Sequence, residues 1–403
     1  MPKPRRRKPK RTTKGKKRLG FSLKKVLFLF FLLFLAVYVI YSLFMFFGIR
    51  ARDPLSENIS SHKFLSRPEG DLEKTVFVIE REIGGESVVS DVYVFLNNAR
   101  KENSVVIYIP GSLYFTGLEG DFGSSIPISS LRYAGDFLQE GRGVEYTLWQ
   151  LNEILGFRAD NYIWITTDAY DVINSVYGDA GNVKDRYKEG YTLEQGSSLT
   201  NSFLKLHTLS SQYSLLKSFL NVSRVRDMDG QIYSNLSFVN ALGKIGAFER
   251  EVNNSKTYVM DLSSPRYSVG ELSEQGGHIS TINTSEYDKA LRRYFINIID
   301  RDLERERVRI EVYNASGVVG RAGMYARKIL NNGCDVVRFG NSPDTLEKTK
   351  IYVSDEKEFG YSLGIVQDVL FERFERLEER PPFMTTGDIV ILLGEDISQL
   401  EIF

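Results

Sequence analysis

The strongest constraint on this chain is an apolar stretch near its N-terminus, residues 26–49. These 24 consecutive residues carry no charge, and nearly all of them are large and apolar. At about 1.5 Å per residue a helix of this length spans roughly 36 Å, more than the ~30 Å hydrocarbon core of a bilayer. Because backbone groups in lipid must be hydrogen-bonded within their own segment, we predict one transmembrane helix over residues 26–49.

The residues in front of this stretch predict its orientation. Residues 1–25 contain 13 Lys or Arg and no Asp or Glu. The positive-inside rule then predicts a cytoplasmic head at 1–25 and an extracytoplasmic body, in a single-pass protein of the plasma membrane. A cleaved signal peptide is the alternative, although its apolar core usually has only about 7–15 residues. We interpret the basic head as a topology signal that also attracts anionic membrane lipid.

Composition narrows the class of protein. The chain has 52 basic and 52 acidic residues, and 13 of the basic ones lie in the head, so residues 26–403 carry 39 basic against 52 acidic. An acidic body argues against a nucleic-acid partner. The single cysteine, Cys334, excludes an intrachain disulfide, and with only three histidines a His/Cys zinc site is disfavoured. These features are typical of an exported bacterial protein.

The chain behind the apolar stretch divides by pattern. Residues 50–72 are polar, contain two prolines and predict a linker. Over residues 73–300, short β-rich runs alternate with helical periods, which predicts a mixed α/β sheet covered by helices. Residues 179–200 predict a loop, and residues 285–308 predict one long charged helix.

Residues 305–396 form the most regular part. Strand and helix patterns alternate there as βαββαβ, which predicts a small two-layer α/β domain. The predicted fold class is therefore α/β, with a mixed-sheet body and a small C-terminal domain behind one transmembrane helix. Gly317 and Gly320 favour a tight strand-to-helix turn there, and a phosphate cradle at the helix start is the alternative.

The C-terminal pattern resembles the LytR C-terminal domain found in many LytR-CpsA-Psr envelope proteins. The shared features lie in one order over residues 307–396: the strand VRIEVYNASG, then Gly317 and Gly320, the turn and strand NNGCDVVRFGN, and the closing DIVILLGED.

The body resembles the LytR-CpsA-Psr catalytic domain more faintly. The four matching segments are SDVYVF (90–95), VVIYIPGSLYF (105–115), GFRADNYIWIT (156–166) and YSNLSFVNALGKI (233–245). The resemblance implies transfer of a glycan phosphate from a polyprenyl pyrophosphate lipid to peptidoglycan. Such a reaction needs cationic side chains and a divalent ion, Mg²⁺ if the body is catalytic, beside an apolar groove for the lipid.

The motif positions themselves depart from the family pattern. The arginine and aspartate of the family's IPRD are Gly111 and Ser112, and the arginine before its SD pair is Val89. The lysine of KINxAY falls near Ile128, and the later arginine cluster falls in residues 206–217, which contain no arginine. Asp91 remains as the candidate Mg²⁺ ligand, with a surface strand-edge aspartate as the alternative. No cofactor is otherwise indicated.

Three arginines outside the motifs are the candidate substrate-binding residues: Arg132, Arg142 and Arg158. Ordinary surface arginines are the alternative. We expect a diverged, non-catalytic body that binds or scaffolds cell-wall glycan, peptidoglycan or a lipid-linked precursor. An active Mg²⁺-dependent phosphotransferase and a protein-interaction module acting through residues 305–403 are the other hypotheses. Neither the oligomeric state nor the ligand is indicated by the sequence.

Overall fold

The N-terminal helix is the longest element of the protein. The structure, a computed structural model, describes residues 23–49, 51–55, 64–66, 70–115, 126–177, 191–193, 199–273, 276–383 and 386–400. Helix α1 covers Leu23–Gly48. Among the described residues it is the one helix that is long and apolar enough to span a membrane. Most of the basic head predicted at 1–25 lies outside the described residues.

A seven-stranded mixed sheet forms the body. Its strands are β1 (Leu72–Ile83), β2 (Glu86–Asn98), β3 (Asn103–Pro110), β4 (Asn161–Ile165), β5 (Tyr191–Thr192), β6 (Ile232–Ser234) and β7 (Lys256–Asp261), in the order β5-β7-β3-β2-β1-β4-β6. β1 and β2 form a hairpin, and β2 continues antiparallel to β3. β1, β4, β3 and β7 run in the same direction, so their carboxyl ends meet at one edge, here called the carboxyl edge.

Helices cover both faces of this sheet, as the continuous burial of successive residues along its central strands requires. One core lies under α2 (Leu131–Leu138), α3 (Gly143–Leu155) and α9 (Thr284–Ile298). The other lies under α4 (Thr167–Tyr177), α5 (Lys205–Gln212), α7 (Val222–Arg226), α8 (Phe238–Asn254) and the end of α1, with α6 (Leu215–Leu220) at its margin. The mixed α/β fold predicted for the body is confirmed.

The stretch at 50–72 is packed on the body wherever it is described. Arg52 forms a bridge with Tyr233 beside β6, and the backbone N–H of Ser66 donates to the carbonyl of Ala159 at 2.7 Å. Phe64 belongs to the core under α3. These residues extend the sheet surface, whereas the sequence predicted a linker.

Three details of the body differ from the sequence prediction. Strand β5 lies inside the predicted loop at 179–200, of which the structure describes residues 191–193 and 199–200. A two-stranded hairpin of β8 (Ser268–Leu272) and β9 (His278–Ile282) was not predicted. The long helix predicted at 285–308 is broken, because α9 ends before Asp300 and α10 covers Arg301–Glu306. Asp300 is buried, and its carboxylate accepts from the Asp71 backbone N–H at 2.8 Å and the Tyr361 hydroxyl at 2.5 Å.

The C-terminal part is a five-stranded sheet with two helices on one face. Its elements are β10 (Arg309–Asn314), α11 (Arg321–Leu330), β11 (Asp335–Asn341), β12 (Lys350–Val353), α12 (Gly360–Val369), β13 (Glu375–Leu377) and β14 (Ile389–Leu393), with strand order β11-β10-β14-β12-β13. The predicted βαββαβ order is present with one addition, the short strand β13. Cys334, directly before β11, is buried.

The two sheets are joined where α11 meets the C-terminal end of α3. The Arg327 guanidinium donates to the carbonyls of Glu153 and Ile154, each at 2.7 Å, and the Asn331 amide donates to the carbonyl of Leu155 at 3.1 Å. The last carbonyls of a helix have no partner inside it, and a cation there also meets the negative end of the helix dipole. Side chains of α11 therefore cap α3.

A glycine permits this close approach. Gly156, directly after α3, has φ of +74°, and a Cβ there would lie 2.5 Å from the Asn331 Nδ2 atom. Any side chain at this position would both strain the backbone and push α11 away.

We expect Arg327→Met to lower the free energy of unfolding by about 2–4 kcal/mol, because the carbonyls of Glu153 and Ile154 lose their donor in a partly buried contact. Denaturant unfolding of the detergent-solubilised full chain, followed by circular dichroism, measures this. The control is Arg305→Met, which removes an ion pair with Asp302 whose side chains are 76% and 66% exposed. That variant should change stability by less than about 0.5 kcal/mol, and equal losses in the two variants would contradict the capping role.

Candidate functional site

The Asp91 carboxylate lies at the carboxyl edge of the large sheet, inside β2. In the sheet, the backbone of Asp91 pairs with that of Ile79 on β1 and with that of Pro110, the last residue of β3. A β-bulge at Ser90 adds one residue to β2 at this point. Val89 and Asp91 consequently face opposite sides of the sheet, Val89 toward α3 and Asp91 toward α5.

Both oxygens of the Asp91 carboxylate are occupied by side chains of the protein. The Tyr108 hydroxyl donates to Oδ1 at 2.7 Å, and the Ser90 hydroxyl donates to Oδ2 at 2.7 Å. The Lys205 ammonium on α5 also contacts Oδ2 in an ion pair. The Asp91 side chain is 3% exposed and that of Lys205 is 17% exposed. A buried carboxylate is therefore neutralised by one cation and solvated by two hydroxyl groups.

Burial dominates the electrostatics of this cluster. It lowers the pKa of Lys205, and the hydrogen bond and charge of Asp91 act in the opposite direction. It raises the pKa of Tyr108, and the charge of Asp91 raises that pKa further. The phenol consequently stays protonated and acts as a hydrogen-bond donor at any physiological pH.

Aromatic side chains surround the cluster on the α5 side. The ring centroids of Tyr93 and Tyr108 are 5.1 Å apart, and those of Tyr108 and Phe203 are 6.0 Å apart. His207 is buried among them, with its Nδ1 atom 2.7 Å from the Tyr191 hydroxyl, and burial lowers its pKa to about 4. The imidazole is thus neutral at pH 7 and belongs to the core. These rings fill the volume between the sheet and α5.

The residues present do not fit a Mg²⁺ ion at Asp91. Mg²⁺ takes oxygen ligands in near-octahedral geometry. At Asp91 the ammonium of Lys205 already contacts Oδ2, one of the two oxygens that could bind the ion. A divalent ion there would have to displace that ammonium and leave it buried beside a second positive charge. The assignment of Asp91 as a metal ligand stays a prediction.

The backbone next to Asp91 also leaves no room for the family's motif arginine. Gly111 takes the place of that arginine, and a Cβ built on it would lie 2.1 Å from the carbonyl oxygen of Val89. Real Cβ atoms do not approach a carbonyl oxygen this closely. The carbonyl group of Val89 therefore occupies the position that a side chain at 111 would need.

The structure places Arg132 and Arg142 in separate ion pairs on the other face of the sheet. Arg132 on α2 pairs with Glu80, a fully buried residue that follows Ile79 on β1, and Arg142 pairs with Glu145 at the start of α3. Arg132 is thus close to Asp91 in strand register but separated from it by the sheet. The predicted role of both arginines in substrate binding stays a prediction.

Arg158 lies at the opposite edge of the sheet, just before β4. Its guanidinium pairs with Asp368 of the C-terminal part at 2.5 Å, and it stacks over the Phe371 ring at 4.4 Å from the centroid. The Ser66 hydroxyl donates to the same Asp368 carboxylate at 3.0 Å. Arg158 therefore holds the two sheets together, away from Asp91, and its predicted role in substrate binding also stays a prediction.

Asp160, two residues after Arg158, is a buried acid with an altered titration. Its Oδ2 atom accepts the Lys74 backbone N–H at 2.8 Å, and the Lys74 ammonium is 4.0 Å from Oδ1. Burial raises the pKa of Asp160 to about 6, although the charge of Lys74 lowers it. The folded protein therefore holds this proton to a higher pH than the unfolded chain does.

The sequence analysis missed three side chains at this edge. Lys205 and Tyr108 contact Asp91, and Glu80 pairs with Arg132. Lys205 is a single charge in the apolar run FLKLHTL, Tyr108 lies within the apolar run VVIYI, and Glu80 directly follows the apolar run VFVI. A single polar residue within an otherwise apolar run of a predicted strand or helix indicates a buried polar side chain that needs a partner. The partner across 114 residues of sequence was not accessible from the pattern.

A double-mutant cycle tests the Asp91–Lys205 pair. Lys205→Met should cost about 2–4 kcal/mol of stability because it leaves a buried carboxylate without its cation, and adding Asp91→Asn should recover at least about 1 kcal/mol. Urea unfolding of the four proteins gives the coupling energy. The exposed pair Glu286–Lys289 on α9 is the control, with an expected coupling of about 0.3–0.5 kcal/mol. Additive effects at Asp91 and Lys205 would refute the pair.

The raised pKa of Asp160 predicts a pH-dependent gain from Asp160→Asn. Below about pH 4 the carboxyl is protonated in both states, and above about pH 6 the folded state bears the full cost of its ionisation. The variant should match the wild type near pH 4 and be more stable by about 1–3 kcal/mol at pH 7.5. Thermal unfolding at both pH values measures this. Asp71→Asn, at a 39% exposed side chain, is the control, and a pH-independent effect at 160 would contradict the assignment.

Comparison with known proteins gives one family match. Residues 307–396 match the family model described as LytR cell envelope-related transcriptional attenuator. No curated protein matches the chain.

Several solved structures align with part of the chain at low identity. TagT bound to LIIa-WTA is 12% identical, with a TM-score of 0.34, over 57% of this chain and 91% of that one. The LytR-CPS2A-psr family protein YwtF (TagT) with bound octaprenyl pyrophosphate lipid is 11% identical, with a TM-score of 0.33, over 57% and 90%. B. subtilis TagV is 10% identical, with a TM-score of 0.35, over 58% and 99%.

The family match falls on the segment whose motifs gave the resemblance in sequence, and that segment is the five-stranded sheet with α11 and α12. The predicted relationship to LytR-type envelope proteins is thus confirmed where the family model applies, and residues 307–396 of this chain are a LytR C-terminal domain.

Proposed function

We propose that this protein is a membrane-anchored envelope protein of LytR-CpsA-Psr type that binds a cell-wall glycan or its polyprenyl-linked precursor without turning it over. The basic head stays in the cytoplasm, α1 spans the plasma membrane, and both sheets lie outside. The proposed domains follow the sequence pattern, with a diverged body over 73–300 and the LytR C-terminal domain behind it. The support is the family match at 307–396, the charge asymmetry around α1 and the geometry at Asp91.

The observation that carries the non-catalytic assignment is the neutralised Asp91 carboxylate. Transfer of a phosphorylated glycan requires cations that meet the developing charge on the pyrophosphate oxygens. Among the described residues, the cation that contacts Asp91 is Lys205, and its charge is already neutralised by this carboxylate. In this proposal the carboxyl edge is a structural remnant of a transfer site.

The placement of the three arginines supports the same proposal. Arg132 pairs with Glu80, Arg142 with Glu145 and Arg158 with Asp368, so each guanidinium is committed to a separate carboxylate. A phosphate clamp needs such groups to converge on one point. The blocked Cβ position at Gly111 supports it further, since restoring an arginine there requires the strand ends to move.

An interaction role of the LytR C-terminal domain is the second candidate. Its helices face the body, which leaves the edge strand β11 in solvent, with Val337 46% and Phe339 58% exposed. An edge strand with open backbone groups is a common site for adding an extended peptide. This candidate predicts that binding to a partner survives the loss of any lipid-linked ligand.

The test uses the full chain in proteoliposomes with a labelled glycan on a polyprenyl pyrophosphate. We expect binding with no release of product, at the same affinity with Mg²⁺ and with a chelator, because the carboxylate that would hold the ion is neutralised. Asp91→Asn should bind within about twofold of the wild type, like the control Asp302→Asn at a 66% exposed side chain.

Two results would contradict this proposal. Product release that requires both Mg²⁺ and Asp91 would establish an active transferase. Failure of the wild type to bind the lipid, in a preparation with a normal unfolding transition, would exclude the lipid-linked ligand and leave the C-terminal domain as the functional part.

A further inference from the structure

The end of α1 is packed onto the body rather than separated from it. Ser42 and Phe46 are each 1% exposed and Ile49 is 5% exposed, and together with Tyr38 they form a stripe at helical spacing. Phe46 belongs to the same core as the rings and aliphatic groups under α8. The opposite side of α1 stays open, with Phe44 77% exposed.

The element that receives this stripe is α6, together with α7. The Tyr38 hydroxyl donates to the carbonyl of Leu220 at 3.1 Å, and the ring centroids of Phe46 and Phe219 are 5.1 Å apart. On its inner side α6 is fixed to α4, because the buried Ser218 hydroxyl lies 2.6 Å from the Tyr177 hydroxyl. Phe219 and Leu220, at the C-terminal end of α6, thus hold this helix against α1 at Phe46 and Tyr38.

The length of α1 then sets the depth of α6, given the membrane span in the proposed function. The charge-free residues before Tyr38 are Val26–Val37, 12 residues that cover only about 18 Å. A hydrocarbon core of ~30 Å requires about eight further residues, which include Tyr38 and extend almost to Phe46. A segment in contact with Tyr38 therefore lies below the membrane surface.

The surface of α6 has the composition that this depth requires. Leu215, Leu216 and Leu220 are 55%, 68% and 61% exposed on the outside of a six-residue helix. The one charge in this helix, Lys217, reaches inward to the Tyr177 carbonyl at 2.7 Å. Exposed leucines beside a membrane helix are stabilised by burial among the lipid acyl chains.

Basic residues follow at the level where α1 leaves the hydrocarbon. α7, which continues directly from α6 and contacts α1, presents Arg224 and Arg226 to solvent. Lipid phosphates carry the complementary charge, and guanidinium groups bind phosphate well.

We propose that α6 is a second membrane-inserted element, with Leu215, Leu216 and Leu220 among the acyl chains of the leaflet into which the body emerges, and with Arg224 and Arg226 at the phosphates of that leaflet. The inference rests on the proposed membrane span of α1. It adds a lipid-binding surface on the body itself.

The experiment measures the depth of a single fluorescent label in liposomes. The full chain carries Cys334→Ala, which removes the native thiol, and one new cysteine labelled with a nitrobenzoxadiazole dye at Leu216→Cys. Phe34→Cys, 72% exposed in α1, reports the span itself, and Tyr133→Cys, 64% exposed on α2 across the sheet, reports the aqueous side. Quenching by lipids with a spin label in the acyl chain is recorded for each.

We expect the labels at 216 and 34 to be quenched several-fold more than the label at 133. If the label at 34 is quenched and that at 216 behaves like that at 133, this inference is overturned while the membrane span stands. If the label at 34 is not quenched either, the span and the inference both fall. Equal quenching at all three positions would show that the label reports the liposome rather than depth, and would overturn the inference.

Discussion

The C-terminal end of α3 is the constraint on which the arrangement of the two sheets depends. A helix that ends inside a protein interface must find donors for its last carbonyls, and here Arg327 and Asn331 of the LytR C-terminal domain supply them. Gly156 lets the two chains approach closely enough for this contact. Without the C-terminal domain, the last carbonyls of α3 would lose these donors. This explains why a small domain at the end of the chain is bound to a helix in the middle of the body.

At the carboxyl edge a buried charge is balanced within the fold itself. Asp91 and Lys205 neutralise each other, and the carbonyl oxygen of Val89 lies too close to Gly111 for any side chain there. The buried carboxylate is thereby satisfied by one cation and two hydroxyl groups. In the proposed function this edge is a remnant of a transfer site, with the sheet, its bulge at Ser90 and the helices above it retained.

Much of this architecture follows from local pattern, and the remainder depends on distant partners. The long strands of the large sheet and the βαββαβ order of the C-terminal domain were predicted because the apolar pattern is local, whereas the short strands β5 and β6 were not. The break between α9 and α10 was not, since it depends on the contacts of Asp300 with Asp71 and Tyr361. Lys205 escaped notice for the same reason, as its partner lies in a strand far away in sequence.

The docked stripe on α1 has a consequence for the reach of the protein. A domain on a flexible tether sweeps a volume whose radius grows with the length of the tether, and so it can search for targets well above the membrane. Here Tyr38, Ser42 and Phe46 are fixed against the folded part, so the two move as one rigid piece. With the membrane span proposed for α1, that piece would diffuse laterally and rotate about the membrane normal. It would then meet only molecules in a thin layer at the surface of the bilayer, and a polymer farther out would have to approach it.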